Sequence, residues 1–247
     1  MKTIEIGKYK VELYDSIDEL PIKRFHKFNK YLLVDAGVGS DLNDINNHLE
    51  RAMVYCRTNP DFAIKELANL RQNIFLIMSE INPKHLAFCT LIKSFDKQPF
   101  DDLSDEGLKN MLQKIKDISH TDLTAHTEWV KKKIDSELSL FFPGTFDDGA
   151  VKEYFDQLKK RTLLILDSII SGDPKQNEIN YVTDLLITYT RPVSFYGPDS
   201  MEIQYDRQFE NMCLILSQKL NVDPKKFTVL EYYNAFDYLK KQMKPKK

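Results

Sequence analysis

"TIEIGKYKVELY", Thr3 to Tyr14, decides the reading of the fold. Ile4 and Ile6 alternate with polar residues, and Tyr9, Val11 and Leu13 do the same. Strict alternation puts the apolar set on one face of an extended chain. Gly7-Lys8 between the two runs suits a two-residue type II′ turn, which needs a positive φ at its first central residue. The stretch therefore reads as a β-hairpin. An isolated hairpin is marginal in water, so this one has to lie on the helices that follow. Its edges carry backbone groups able to accept another strand, which makes Tyr9 and Val11 candidate partner-binding residues.

Working outward, the rest of the chain reads as helices. Ser16 and Glu19 have capping-box spacing, or the helix starts at Pro21 with proline in its first turn. Ile22, Phe25, Phe28 and Leu32 then mark an apolar face. Lys23, Lys27 and Lys30 form a basic stripe opposite, with Arg24 and His26 beside it, and read as a solvated face; an anionic partner is the alternative. "DAGVGS" (35–40) reads as a linker, and its Gly37-Val38-Gly39 lacks the spacing of a dinucleotide fingerprint. Ser40 is expected to cap the next helix, with Ile45, Leu49, Ala52, Met53 and Cys56 inward. After "TNPD" (58–61), Phe62, Leu67, Leu70, Ile74, Met78 and Ile81 are expected to face inward on a long helix. Residues 84–94 form an apolar run that fits helix or strand.

The polar segment "KSFDKQPFDDLSDEG" (93–107) divides the chain into residues 1–98, hairpin plus helices, and 99–247, a helical region. The alternative is one continuous domain. Ser104 opens a helix carrying Leu108, Met111, Leu112 and Ile115. Another runs from about Thr121 to Leu138, with Leu123, Val130 and Ile134 apolar. The most strongly patterned helix runs from Ala150 to Ser171, with Val151, Tyr154, Phe155, Leu158, Thr162, Ile165 and Ile169 expected to face the core and Gly172 at its end. Ile179, Val182 and Leu186 mark a further helix. "PVSFYGPDSMEIQY" (192–205) reads as a loop or a short second hairpin about Gly197-Pro198, and Phe209, Met212, Cys213, Leu216 and Leu220 as the penultimate helix.

"KFTVLEYYNAFDYLKK" (226–241) closes the series. Thr228 and Glu231 form a capping box, and Phe227 and Tyr232 a hydrophobic staple. Tyr232, Phe236, Leu239 and Met243 share one stripe, while Lys240, Lys241 and Lys244 suit the C-terminal dipole and Pro245 stops the helix. It is first a core-closing element. Tyr233 and Tyr238 lie off the stripe and are candidates for a partner-binding face. The fold class is mainly α: a multi-helix, bundle-like body with a short N-terminal β-hairpin.

The chain has 247 residues, 42% of them hydrophobic, enough for a sizeable core. A net charge of −2 supplies no general attraction to nucleic acid or anionic membrane. Cys56, Cys89 and Cys213 are far apart within apolar runs, as expected of reduced, buried thiols. No run approaches a membrane span of ~20 apolar residues, and the charged start is not a signal peptide. His120 and His126 lack metalloprotease spacing, and no P-loop, nucleophile elbow or zinc-finger pattern occurs. Asp101-Asp102, Asp105-Glu106 and Asp147-Asp148 sit at helix starts, where the dipole accounts for them. Trp129 beside Lys131, Lys132 and Lys133 offers a weak single-strand stacking pattern; a half-buried helix tryptophan is the simpler reading. No catalytic, metal or cofactor residue is assigned.

"IEIGKYKVELYDSIDELPIKRFHKFNKYLL", "FPGTFDDGAVKEYFDQLKKRTLLILD" and "FTVLEYYNAFDYLKK" resemble uncharacterised proteins of tailed bacteriophages. The N-terminal hairpin, helical body and closing "TVLEYY" helix are similar to phage tail assembly chaperones. That resemblance implies a soluble, non-enzymatic protein in the cytoplasm of the infected bacterial host. It would bind tape-measure or tail-tube protein during assembly; a place in the virion, as a structural, neck or head component, fits nearly as well. This chain is longer than the simplest members, and no binding residue carries across. The expectation is a phage protein-binding factor, without membrane or nucleic-acid partner and compatible with a homo-oligomer. The alternatives are an enzyme with a dispersed site acting on a nucleotide or nucleic acid, and a binder that interferes with host defence.

Overall fold

A computed structural model describes residues 2–118, 123–143, 149–189 and 192–243. The protein is mainly α with a short N-terminal hairpin, as the pattern predicts. Strands β1 (Lys2–Ile6) and β2 (Tyr9–Leu13) pair antiparallel, with Ile4 opposite Val11 and Ile6 opposite Tyr9. Gly7 has φ +60 and Lys8 has no positive φ, the sign pattern of a II′ turn. A Cβ on Gly7 would also stand 2.7 Å from the Ile118 side chain, so close packing requires glycine there as well. Ile4, Ile6, Val11 and Leu13 are buried on one face.

The sheet is larger than the hairpin. Residues 84–94, open between helix and strand, are both in turn: a short helix, Pro83–Thr90, then strand β3 (Ile92–Phe95). β3 pairs with β2 and, through β4 (Gln98–Pro99), closes a four-stranded antiparallel sheet in the order β1-β2-β3-β4. Asp96 and Lys97 both take positive φ, as a type I′ turn demands. The turn of the second hairpin thus lies inside the polar segment 93–107. The stretch 192–200, where a hairpin about Gly197 was an option, is a loop.

In chain order the helices are α1 (Ile22–Gly37), α2 (Leu42–Thr58), α3 (Pro60–Met78), α4 (Pro83–Thr90), α5 (Asp105–Ile118), α6 (Thr124–Phe141), α7 (Gly149–Ser171), α8 (Gln176–Tyr189), α9 (Met201–Leu220) and α10 (Val229–Met243). Ser16 does not cap: its hydroxyl donates to Glu137 of α6, and α1 starts after Pro21 without a side-chain cap. α1 also absorbs Asp35 to Gly37, expected as linker. Asp41, not Ser40, caps α2, through a reciprocal box with Asp44. The Thr228–Glu231 box forms as expected, with bonds of 2.8 and 3.3 Å. Ser104 accepts from the Gly107 N–H at the start of α5, and Gly172, at φ +70, ends α7.

The main core draws on residues from Ile4 to Leu239, on both sides of residue 98. α4 is its centre: Ala87, Phe88 and Cys89 are fully buried, and α1, α5 and α6 pack around it. Leu108, Leu112, Ile115, Leu123, Val130 and Ile134 are buried as the periodicity requires.

Two helical hairpins depart from the pattern. In α2 and α3 the inward residues are His48, Ala52 and Tyr55, facing Ala63, Glu66, Asn69, Asn73 and Leu76. The expected inward residues Leu49, Met53 and Cys56, and Leu67, Ile74 and Met78, are exposed. The physical reason is that small residues and hydrogen-bonded polar groups let the two helices approach, leaving each apolar stripe on the outside. α7 departs further: no residue whose side chain is described is buried, and Phe155, Thr162 and Ile169 face outward. Val151, Met243, Lys244, Pro245, Thr121, His120 and Asp147-Asp148 lie outside the described residues or side chains.

Candidate interaction surfaces

α1 organises the body with side chains expected in water. Arg24 is buried: Nη1 donates to Thr90 O at 3.1 Å and Ile92 O at 2.9 Å, and Nη2 to Phe100 O and to Asp101 at 3.3 Å. One guanidinium thereby ties α1 to the end of α4 and to the sheet, its fork donating to three backbone carbonyls. Lys27 pairs with Asp105 at 2.6 Å and Lys30 with Asp206 at 2.6 Å, so two lysines of the basic stripe bridge α1 to α5 and α9. The Tyr31 hydroxyl joins Asp105 at 3.0 Å. Burial, then Asp105, pushes the Tyr31 phenol up.

Beside this network lies an aromatic cleft of about 320 Å³ between α1, α9 and α10. Phe25, Tyr205, Phe209, Tyr232, Tyr233 and Phe236 supply its rings. His26 stacks on Tyr205 and Phe209, with centroids 4.5 and 4.1 Å away, and its Nε2 stands 2.8 Å from Asp206. Burial lowers the His26 pKa although Asp206 opposes it, so the ring is neutral at neutral pH. Burial pushes the Asp206 carboxyl up, but Lys30 and His26 pull it net below the ordinary range. The carboxylate accepts, so Nε2 carries the proton. The lining contains no Ser, Thr or Cys, so the pair has no hydroxyl or thiol of those kinds to activate. The cleft can seat an apolar or aromatic group against its rings.

The α2/α3 hairpin is held by a polar seam. His48 Nδ1 lies 2.6 Å from Glu66 and Nε2 2.9 Å from Val38 O, while Asn73 Nδ2 donates to the same carbonyl at 3.0 Å. Asn69 donates to Val193 O and accepts from the Phe195 N–H. A small cluster of Val34, Val38, Leu76 and Phe195 completes the attachment, with the Phe195 ring where a Cβ on Gly37 would fall. This seam fixes the hairpin with its apolar stripes outward. α7 and α8 pack on each other through contacts such as Arg161 Nε to Thr183 Oγ1 at 2.9 Å, and the Tyr55 hydroxyl donates to Ile187 O of α8.

The residues singled out from the sequence are scattered over these surfaces. Tyr9 and Val11 lie on β2, an inner strand already paired on both sides. Val11 is fully buried and Tyr9 packs on Phe95 at 5.5 Å, so the free edges belong to β1 and β4. Tyr233, a candidate for a partner-binding face, packs among Phe25, Phe142 and Tyr232 and lines the cleft; burial pushes its phenol up. Tyr238 is 52% exposed, its oxygen bonded to Gln242. Trp129 is 44% exposed with Lys2 3.5 Å over its ring, while Lys131 and Lys133 pair with Asp135 and Asp15. Among the described residues no group of His, Cys, Asp and Glu has the arrangement of a metal site, and no helix is long and apolar enough to cross a membrane.

The sequence reading missed the seam and the cleft. Glu66, Asn69, Asn73 and Leu76 do recur at helical spacing, but a polar stripe ordinarily reads as a solvated face. No protein-family model, curated protein or solved structure matches the chain.

Proposed function

We propose that this chain is a non-enzymatic protein-binding factor, and that it serves phage tail assembly, as a chaperone or virion assembly component. The observation that carries the binding role is the α7/α8 hairpin. Phe155, Leu163, Ile169 and Ile170 on α7 are 55–83% exposed. Apolar surface on this scale, on a helix none of whose described side chains is buried, supports a role in which another molecule covers it. Tail assembly rests on the likeness of the sequence to tailed-phage proteins; an apolar stretch of tape-measure or tail-tube protein is the partner it implies.

Affinity purification of the tagged chain from infected cells tests both parts. Stoichiometric recovery of a tail protein, abolished by Ile169→Asp with Ile170→Asp, is expected. Both positions are exposed, so the variant should keep its helical spectrum. Recovery of the chain alone sinks the binding role. Recovery of a host protein in place of any tail protein removes assembly and favours interference with host defence. The enzymatic alternative has one observation behind it, the neutral His26 and charged Asp206 beside the aromatic cleft. Nucleotide titration of wild type against His26→Phe is its test.

A further inference from the structure

We propose that the outer face of α2/α3 is a self-association surface, through which two copies of this chain pair as a four-helix bundle. This goes beyond tail binding: it uses a different hairpin and holds whether or not a tail protein is the partner.

The first argument is geometric. Tyr55 packs on Phe62 at 5.4 Å and His48 meets Glu66, so contacts run outward from Asn59 and the helices are antiparallel. The exposed stripe of α2 is Leu42, Leu49, Met53 and Cys56; that of α3 is Ile64, Leu67, Ile74 and Met78. At about 100° per residue, each stripe lies roughly a third of a turn ahead of its helix's inward residues. Antiparallel helices rotate in opposite senses when viewed from one end, so the two stripes fall on the same side of the hairpin. The result is one apolar face spanning two helices.

The second argument is size. The large apolar side chains of the two stripes are between 41 and 80% exposed. Together they offer apolar area on the order of 800 Å², one side of a standard interface. That exceeds the roughly 300–600 Å² of the largest patch on an ordinary monomer. A groove of about 310 Å³ lined by Ala68, Arg71, Gln72, Phe75 and Tyr196 continues the face.

The third argument selects the occupant. Steps of three, four and seven residues along both stripes are the spacing by which helices interlock, and they fit a helical partner. The complement of a face made by two antiparallel helices is a second such pair. The chain carries one itself, and an isologous two-fold contact stops at two copies, leaving no part of this face open to further growth. Arg71, the charge within the α3 stripe, is exposed and its stem can lie at the margin with the guanidinium in water.

The test is sedimentation of the full chain over a concentration series, with alkylation of Cys56 as a local probe. Cys56 is exposed and Cys89 and Cys213 are buried, so the fast-reacting thiol reports on this face. Wild type is expected to sediment at twice 28.9 kDa. Cys56 alkylation should slow about tenfold when the concentration is raised well above the Kd, because reaction then proceeds through free monomer. Leu67→Glu with Ile74→Glu should give a folded monomer with concentration-independent alkylation. Should that variant misfold, Met53→Glu on the other helix replaces it. Wild type that stays monomeric at ~100 µM, where a standard-size interface is populated, overturns the proposal. So does a dimer that survives the substitutions, or one that leaves Cys56 alkylation unchanged.

Discussion

The body around α4 and the α2/α3 hairpin both carry apolar helix stripes and use them in opposite ways. Around α4, apolar periodicity points inward, and one buried polar side chain, Arg24, is a staple to backbone carbonyls. In α2/α3, polar groups point inward, the seam of His48, Glu66, Asn69 and Asn73 holds the helices, and the apolar stripes point out. The contrast teaches that an amphipathic stripe states that something covers it, not that the same chain does. A domain that only had to be stable would place those stripes inside; here they remain available to a second molecule.

The largest effects that test this contrast belong to the body. Phe88→Ala should cost about 3–5 kcal/mol, the range for emptying a well-packed aromatic site. Arg24→Ala should cost about 3 kcal/mol or more, since buried carbonyls lose their donors. Urea unfolding monitored by circular dichroism measures both, and a loss under about 1 kcal/mol for either would remove α4 from the centre of the molecule.

In the hairpin, Glu66→Gln keeps the shape and takes away the carboxylate facing His48 and Arg51. It should cost about 1–3 kcal/mol, the price of an impaired buried hydrogen bond. If the same substitution is neutral, the polar seam does not hold the hairpin. At the next level down, Thr228→Ala removes the N-cap of α10 and should cost about 1 kcal/mol, with no effect on the α2/α3 face.

The smallest effect is one of slope. His26 is partly buried with its pKa depressed, so its contribution is present above the unfolded value of about 6.5 and is lost as pH falls through the folded value. Thermal melts between pH 7 and 5 should show wild type losing stability more steeply than His26→Phe, which keeps an aromatic ring against Tyr205 and Phe209. Parallel curves would show that the ring is not held neutral.

Much of the architecture was legible in local chemistry. The hairpin followed from alternation and Gly7, the start of α10 from Thr228 and Glu231, and the inward face of α5 from Leu108, Met111, Leu112 and Ile115. The second hairpin was hidden because Asp96-Lys97 lacks the glycine that usually announces a type I′ turn. The capping reading of Ser16 failed because its hydroxyl has a partner 121 residues away. Of the four candidate contact residues, Tyr238 is exposed; Tyr9 and Val11 depended on which strand is an edge, and Tyr233 on what α1 and α6 bring against it.

The sequence by itself determined most element types, some helix ends and the stripes on each helix, because these follow from backbone propensity, capping and the 3.6-residue period. Tertiary structure alone decided which stripe is inside. Burial of a polar side chain depends on partners such as Val38 O for Asn73 or Thr90 O for Arg24, which lie 35 and 66 residues away along the chain. Periodicity carries no information about them, and once they are in place the polar face can be the inner one.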